Sequence, residues 1–114
     1  MSRMNPETII QQAIRKALGL DPRVALFRNN TGGYKKGDHF VRYGLAVGSS
    51  DLIGILRQNG RFVALEVKVP GKGPEPDQEI FIDFVRREGG FAAVVHSVEE
   101  ARAAIARACA GESQ

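Results

Sequence analysis

Two carboxylates and a lysine, Asp51, Glu66 and Lys68, interrupt otherwise apolar segments in the middle of the chain. Charged groups are costly to bury unless they are paired or bound to a metal. Mg²⁺ prefers oxygen ligands and usually takes only one or two protein carboxylates, and the backbone carbonyl of Val67 offers a further oxygen. A water activated by such an ion can attack phosphorus, and a nearby ammonium can orient that water or neutralise the phosphate. These residue types therefore favour metal-assisted hydrolysis of a phosphate ester.

The turn between the two apolar segments predicts how these side chains meet. Asn59-Gly60 is a strong hairpin signal because both residues tolerate the positive φ angles of a type I′ turn. We predict antiparallel strands over residues 51–57 and 62–69, with Asp51 opposite Lys68. Because side chains alternate between faces along a strand, the three charged side chains share one face and the other face is apolar.

A cross-strand salt-bridge cluster on a solvated sheet face is the alternative interpretation of the same residues. Asp51 opposite Lys68 would satisfy it, since opposite charges across strands stabilise a sheet. The residues by themselves leave both interpretations open.

Periodicity and capping residues predict the other elements. A helix begins at Asn5-Pro6, and its apolar stripe ends before Gly19. The later segments are a strand over 24–28, a Gly-rich turn over 29–36, a strand within 40–47, a loop over 70–77, a helix from about Asp77 with the stripe Ile80, Phe81, Phe84 and Val85, a strand over 91–96, and a helix over 98–109 capped by Ser97. This order predicts an α/β fold, a mixed central sheet flanked by helices, with the last strand parallel to the second hairpin strand.

Size and composition exclude several classes of protein. With 114 residues, the chain has room for a single domain. It has no apolar run near the roughly 20 residues that span a bilayer, and no signal-peptide core near its start, so we expect a cytoplasmic protein. A net charge of +3 is compatible with a nucleic-acid partner. The isolated His39 and His96 do not indicate zinc.

An ordered set of motifs along the chain resembles a known family. The motifs are Glu7 in the first helix, Arg28-Asn29-Asn30 followed by glycines, Gly48-x-x-Asp51-Leu52-Ile53-Gly54, Leu65-Glu66-Val67-Lys68, and Gln78 at the start of the next helix. Together, from about Pro6 to Ala101, they resemble a stand-alone VRR-NUC domain of the PD-(D/E)xK nuclease superfamily. The resemblance implies a restriction-endonuclease-like core within a single domain over 1–114.

The resemblance also implies a set of catalytic roles. Asp51 and Glu66 would ligate Mg²⁺ or Mn²⁺ and Lys68 would assist the nucleophile, with Glu7 in the metal site and Gln78 beside it. For Glu7 the alternative is a charge that interacts with the helix dipole, and for Gln78 it is a solvated residue of a first helical turn. The loop over 73–77 departs from the family pattern in being more acidic and proline-rich.

Stand-alone viral and bacterial members of that family resemble resolvases of four-way (Holliday) junctions and act as homodimers. The resemblance therefore implies a homodimeric, structure-selective endodeoxyribonuclease of DNA repair or recombination in a bacterial or phage-infected cell. A binding module without catalysis, and a catalytic subunit that needs a targeting partner, are the alternatives. The candidates for DNA contact are basic or aromatic residues in or beside loops near the hairpin: Arg28, Tyr34, Lys35, Lys36, Arg42 and Lys72.

Overall fold

Residues 4–114, the part of the chain that the computed structural model describes, form three helices and six strands. In chain order they are α1 (Pro6–Leu18), β1 (Val24–Arg28), β2 (Gly32–Lys36), β3 (His39–Tyr43), β4 (Leu52–Leu56), β5 (Phe62–Val67), α2 (Pro76–Arg87), β6 (Phe91–Val95) and α3 (Val98–Cys109). None of these helices has the length and apolar character needed to cross a membrane.

A four-stranded mixed sheet in the order β1-β4-β5-β6 forms the centre of the molecule. β4 and β5 are antiparallel and β5 and β6 are parallel, as the sequence predicts. β1 pairs antiparallel with β4. α1 and α3 pack on one face, where Leu52, Leu65 and Val67 join the main core. α2 packs on the other face, against Ala64 and Ala92. The predicted α/β architecture is confirmed.

The hairpin between β4 and β5 closes through a different turn from the predicted one. The Leu56 N–H donates to the Arg61 carbonyl at 2.9 Å, and the Gly60 N–H donates to the Leu56 carbonyl at 2.7 Å. Gly60 has a φ of +74°, but no residue other than glycine has positive φ within residues 4–114. Asn59 instead accepts the Arg61 N–H through its side-chain oxygen at 3.0 Å. The predicted type I′ turn is therefore wrong, and a longer loop replaces it.

The longer loop changes the register of the hairpin by two residues. Leu52 pairs with Leu65, and the same register continued to Asp51 puts Glu66 opposite it. The predicted pairing of Asp51 with Lys68 is wrong. A shift of two residues keeps every side chain on its face, because the side-chain period of a strand is two. The three charged residues consequently still share one face, as predicted.

β2 and β3 form a separate two-stranded ribbon, with Gly32 paired to Tyr43 and Gly33 to Arg42. The turn predicted over 29–36 is wrong from Gly32 onward, and the strand predicted within 40–47 is confirmed as β3. Aromatic rings cover the two glycines: a Cβ on Gly32 would lie 2.6 Å from the Tyr43 hydroxyl. Such cross-strand coverage compensates for the missing side chains and stabilises a Gly-rich strand.

α2 presents a different face to the sheet from the one predicted. Ile82 and Val85 are buried, whereas Ile80 is 72% exposed and Phe84 is 49% exposed. The predicted stripe is right for Val85 and wrong for Ile80 and Phe84. Apolar residues cover more than half of the circumference of this helix, so contact with the sheet, rather than periodicity, decides which of them are buried.

Gly54 lies in β4, where it pairs with Leu26 of β1. A Cβ at this position would be 2.1 Å from the carbonyl oxygen of Ala25. We expect Gly54→Ala to lower the free energy of unfolding by about 3 kcal/mol, because the backbone of β1 would have to move. Urea denaturation measures this loss. Gly73→Ala is the matched control, since nothing lies within 4 Å of a Cβ there, and equal stability of the two variants would contradict the prediction.

Candidate active site

Asp51, Glu66 and Lys68 meet where β4 begins and β5 ends. The Asp51 Oδ2 accepts a hydrogen bond from the Val67 N–H at 2.9 Å, so this carboxylate is fixed against the neighbouring strand. The Glu66 side chain is completely buried, and Lys68 is only 8% exposed. The sequence-predicted trio is therefore brought together, at the edge of the core rather than on a solvated face.

The Glu66 carboxyl group has an unusual environment for an acid. Both of its oxygens are buried, and no N–H or hydroxyl group among residues 4–114 donates to them. Burial, followed by the negative charge of the adjacent Asp51 and a proton that the two carboxyl groups can share, raises the pKa of Glu66 to about 8. The positive charge of Lys68 opposes this rise, and the charge of Glu7 adds to it. A cation beside Glu66 would supply the interactions that its oxygens lack.

The donor set suits a hard divalent ion. Asp51 and Glu66 supply carboxylate oxygens from adjacent strands, and the ligands that Mg²⁺ prefers are oxygens, of which the protein commonly gives one or two. Within residues 4–114, no group of three His, Cys, Asp or Glu side chains is gathered closely enough to hold an ion. The residues present thus fit Mg²⁺ or Mn²⁺ held mainly by two carboxylates. Glu7 and the Val67 carbonyl remain predicted ligands.

Glu7 approaches the trio from the first turn of α1. Asn5 caps this helix by accepting the Glu7 N–H at 2.8 Å. Glu7, Lys68 and Lys72 line a common cleft of about 330 Å³. Both interpretations of Glu7 therefore have a structural basis, because it lies in a first helical turn and its charge reaches Glu66.

Asn29 positions Asp51, a role that the sequence did not reveal. Its side-chain amide donates to the Ser49 hydroxyl at 2.7 Å and to the Ser50 carbonyl at 2.9 Å. Its backbone N–H donates to the Asp51 carbonyl at 2.8 Å. An asparagine directly after a strand is the available signal, but its partners are about twenty residues away. Gly48, at φ +85°, lets the same segment pass close to Asp77.

Gln78 lies in the first turn of α2, where it is half-buried. Its side-chain oxygen accepts the Glu75 N–H at 2.8 Å, which satisfies one of the free donors at the helix start. The observed contact is thus a helix cap that holds the end of the loop over 73–75. A catalytic role for Gln78 remains a prediction.

The predicted DNA-contacting residues fall into three places. The ribbon of β2 and β3 gathers Tyr34, Lys35, Lys36 and Arg42. Arg28 is exposed at the end of β1, and Lys72 lines the cleft beside the trio. The ribbon therefore concentrates four of the six candidates on one exposed structure.

His96 anchors the loop that carries Lys72. Its Nδ1 lies 2.9 Å from the Glu100 carboxylate, and its Nε2 lies 3.0 Å from the Lys72 carbonyl. These two acceptors, Glu100 first, raise the pKa of His96. The imidazolium form satisfies both acceptors at once, so the loop is held most firmly at lower pH.

The chain is similar to a known domain family in both sequence and structure. Residues 5–99 match the VRR-NUC domain family. The chain belongs to the VRR-NUC family. A solved structure described as a VRR_NUC domain is similar to it with a TM-score of 0.59 and 21% identity, over 90% of this chain and 97% of that one. This likeness supports the fold. The chain matches no curated protein sequence.

The family assignment confirms the resemblance seen in the sequence and the restriction-endonuclease-like fold. The matched range contains Asp51, Glu66 and Lys68, together with Glu7 and Gln78. A VRR-NUC domain is a nuclease-type domain, and such a domain implies DNA binding.

Proposed function

We propose that this VRR-NUC domain is a Mg²⁺- or Mn²⁺-dependent, structure-selective endodeoxyribonuclease whose favoured substrate is a four-way DNA junction. One observation carries the catalytic part of this proposal. The buried Glu66 carboxylate has no hydrogen-bond donor among residues 4–114, and it lies beside a second carboxylate and a nearly buried lysine. A salt-bridge cluster accounts poorly for it, since no ion pair within 4.0 Å joins the trio in the described part of the chain.

Each residue of the site has a distinct task in this proposal. Asp51 and Glu66 hold the divalent ion, which supplies Lewis acidity when it is bound. The hydrogen bond from the Val67 N–H holds the Oδ2 of Asp51 against β5, so its other oxygen would be available to the ion. Lys68 directs its ammonium group at the attacking water and the scissile phosphate. Glu7 adds negative charge at longer range, and Gln78 fixes the loop beside the site.

The ribbon of β2 and β3 is the proposed DNA-binding arm. Nearly all of its residues are exposed, including Tyr34 at 51% and Phe40 at 62%. Arg42 stacks on Phe40, with 5.3 Å between the guanidinium carbon and the ring centroid. A five-residue strand reaches roughly 17 Å, and the major groove of B-DNA admits a two-stranded ribbon. Lys35, Lys36 and Arg42 on this arm supply the phosphate contacts.

Replacing Lys35, Lys36 and Arg42 together with alanine should weaken DNA binding at every sequence. The negative slope of log affinity against log salt concentration should become shallower by about 3, because each lost phosphate contact reduces its magnitude by about one. Fluorescence anisotropy with Ca²⁺ in place of Mg²⁺ measures the affinity without cleavage.

A control variant separates the position of these charges from their number. Arg15, Lys16 and Arg102 are exposed on α1 and α3, so their triple replacement removes the same charge elsewhere. We expect this control to keep most of the affinity. Equal losses in both variants would show that net charge, and not the ribbon, governs binding.

The function is tested by cleavage of a labelled DNA panel in Mg²⁺, Mn²⁺ or EDTA. The panel contains a four-way junction, a flap, a splayed arm, a linear duplex and a single strand. Metal-dependent, symmetric incision of the junction is the expected result. Incision of every substrate in the panel would support the nuclease activity but contradict the selectivity for junctions. Tight, salt-sensitive binding with no incision would instead support a binding module or a subunit that needs a partner.

A further inference from the structure

Phe40 is a large aromatic side chain that the β2–β3 ribbon exposes to solvent. It is 62% exposed although it lies within a strand. A Cβ on Gly33, in the neighbouring strand, would lie 2.5 Å from two atoms of the Phe40 ring. Only a glycine leaves room for the ring in this place. An aromatic side chain that is held in position loses little conformational freedom on binding, so it offers a ligand contact area at low entropic cost.

Two cations lie beside this ring on the same face of the ribbon. Lys35 pairs with Phe40 across the ribbon, and Arg42 follows Phe40 by two residues in β3. Paired residues share a face, and side chains alternate along a strand, so all three side chains emerge together. The Arg42 guanidinium carbon lies 5.3 Å from the centroid of the ring. We name Lys35, Phe40 and Arg42 the aromatic site, and its matching ligand combines a flat apolar surface with negative charge.

A groove leads from the aromatic site to the segment that follows β3. Its volume is about 370 Å³, and its walls include Tyr43, Leu45 and Val47, each of which is about half exposed. Within residues 4–114, Arg42 is the one charged residue that lines it. A free phosphate ion or an acidic peptide would leave the apolar walls in contact with water. A nucleotide fits better, because it presents a flat base to the walls and an anionic phosphate to the cations.

We propose that the aromatic site binds an unpaired nucleobase, which stacks on Phe40 while Lys35 and Arg42 hold the neighbouring phosphates. Proteins that bind single-stranded DNA combine aromatic side chains with cations in this way. A base within a duplex is stacked on its neighbours and does not reach the ring. The ligand is therefore a single strand or the unpaired segment of a branched DNA. This inference rests on the DNA-binding role proposed for the ribbon and extends it from phosphates to bases.

Such a site would give the proposed nuclease a physical source of structure selectivity. Taking a base out of a perfect duplex costs free energy, and this cost is least for a base that is already unpaired. Stacking on Phe40 therefore adds to the affinity where DNA is unpaired and adds nothing along a duplex. Contacts to phosphates carry no such discrimination by themselves, because phosphates occur in every DNA.

Binding to two oligonucleotides of equal length tests the aromatic site. One is an oligothymidylate of about ten nucleotides, within the usual range of single-strand site sizes. The other has the same phosphates on abasic sugars. We expect the wild-type chain to bind the oligothymidylate at least about 5-fold more tightly, because each stacked base contributes that much or more. Fluorescence anisotropy in EDTA and low salt measures both affinities without cleavage.

Substitutions of Phe40 assign this preference to the ring. Phe40→Leu should bring the ratio of the two affinities close to one, because leucine still covers Gly33 but has no aromatic face. Phe40→Trp should keep the ratio. Phe84→Leu is the matched control: Phe84 is 49% exposed and lies 5.8 Å from the Arg87 guanidinium carbon, but it belongs to α2 and Glu88 lines its groove. We expect the control to keep the wild-type ratio, and circular dichroism confirms that each variant is folded.

Three results would overturn the aromatic site. The first is equal affinity of the wild-type chain for both oligonucleotides, and the second is a Phe40→Leu variant that keeps the full ratio. The third is a Phe40→Leu variant that loses as much affinity for a fully paired duplex, since the ring would then contact paired DNA.

The absence of metal separates this test from that of the nuclease, because an inactive enzyme leaves the ratios unchanged. A chain that prefers the oligothymidylate but cuts no DNA would support the aromatic site and contradict the nuclease. A chain that cuts junctions and shows no preference between the oligonucleotides would do the reverse.

Discussion

Replacing Lys68 with alanine should slow DNA cleavage at least 100-fold and leave DNA affinity near that of the wild-type protein. A positioned proton-transfer or charge-stabilising group contributes about 100-fold or more to a rate. The Lys68 side chain is only 8% exposed and lies beside the Glu66 carboxylate. It also lines the cleft that opens from the site to the solvent. Its effect belongs to the chemical step because DNA affinity arises mainly from phosphate contacts elsewhere.

Single-turnover cleavage of a labelled junction, with affinity measured in Ca²⁺, separates the two effects for Lys68→Ala. Lys72→Ala is the matched control, because Lys72 lines the same cleft but is exposed on the loop. We expect that control to weaken binding slightly and to keep most of the single-turnover rate. A Lys68→Ala variant that cleaves at the wild-type rate would disprove the assigned role.

Replacing Glu66 with glutamine should abolish cleavage and, in the absence of metal, stabilise the protein above pH 8. Burial raises the pKa of Glu66 from 4.5 to about 8. Between these values the folded protein binds a proton that the unfolded chain releases, so stability falls as pH rises from about 4.5 to 8. The full shift is worth at most about 5 kcal/mol at roughly 1.4 kcal/mol per unit. The amide carries no charge, so this loss disappears in the variant.

Thermal unfolding in EDTA at several pH values between 5 and 9 measures the effect at Glu66. The wild-type midpoint should fall with pH, while that of Glu66→Gln should change much less. Mg²⁺ should restore the wild-type midpoint at high pH, because the proposed ion would bind the folded, ionised site and not the unfolded chain. Glu112→Gln, an exposed change near the C-terminus, controls for net charge. Parallel pH profiles for wild type and Glu66→Gln would contradict the prediction.

Local signals in the sequence determined much of the fold. The predicted bounds of β1 and α3 are those of the structure, because caps, breakers and short apolar runs act within a few residues. Ser97 caps α3 by accepting the Glu100 N–H at 3.1 Å, as its spacing predicts. The alternation of side chains predicted that Asp51, Glu66 and Lys68 share one face. That prediction stayed correct despite the change of register, because the shift was of two residues.

Tertiary structure decided the features that depend on distant contacts. Arg61 holds the hairpin loop in place by donating hydrogen bonds to the Gly89, Gly90 and Ala108 carbonyls. No local pattern around Asn59-Gly60 reveals those distant partners. The length of that loop sets the register of the hairpin and so determines which residue lies opposite Asp51.

The orientation of α2 and the environment of Glu66 were decided in the same way. The apolar residues of α2 form a band too wide to be buried completely, so packing against β5 and β6 decides that Ile82 is buried and Ile80 is exposed. The sequence identified Glu66 as a carboxylate that needs a partner. Only the assembled strands show that it is completely buried, lacks a hydrogen-bond donor within residues 4–114, and lies beside Asp51. The physical reason is that burial and charge proximity are properties of the packed chain, whereas caps and alternation are properties of a short segment.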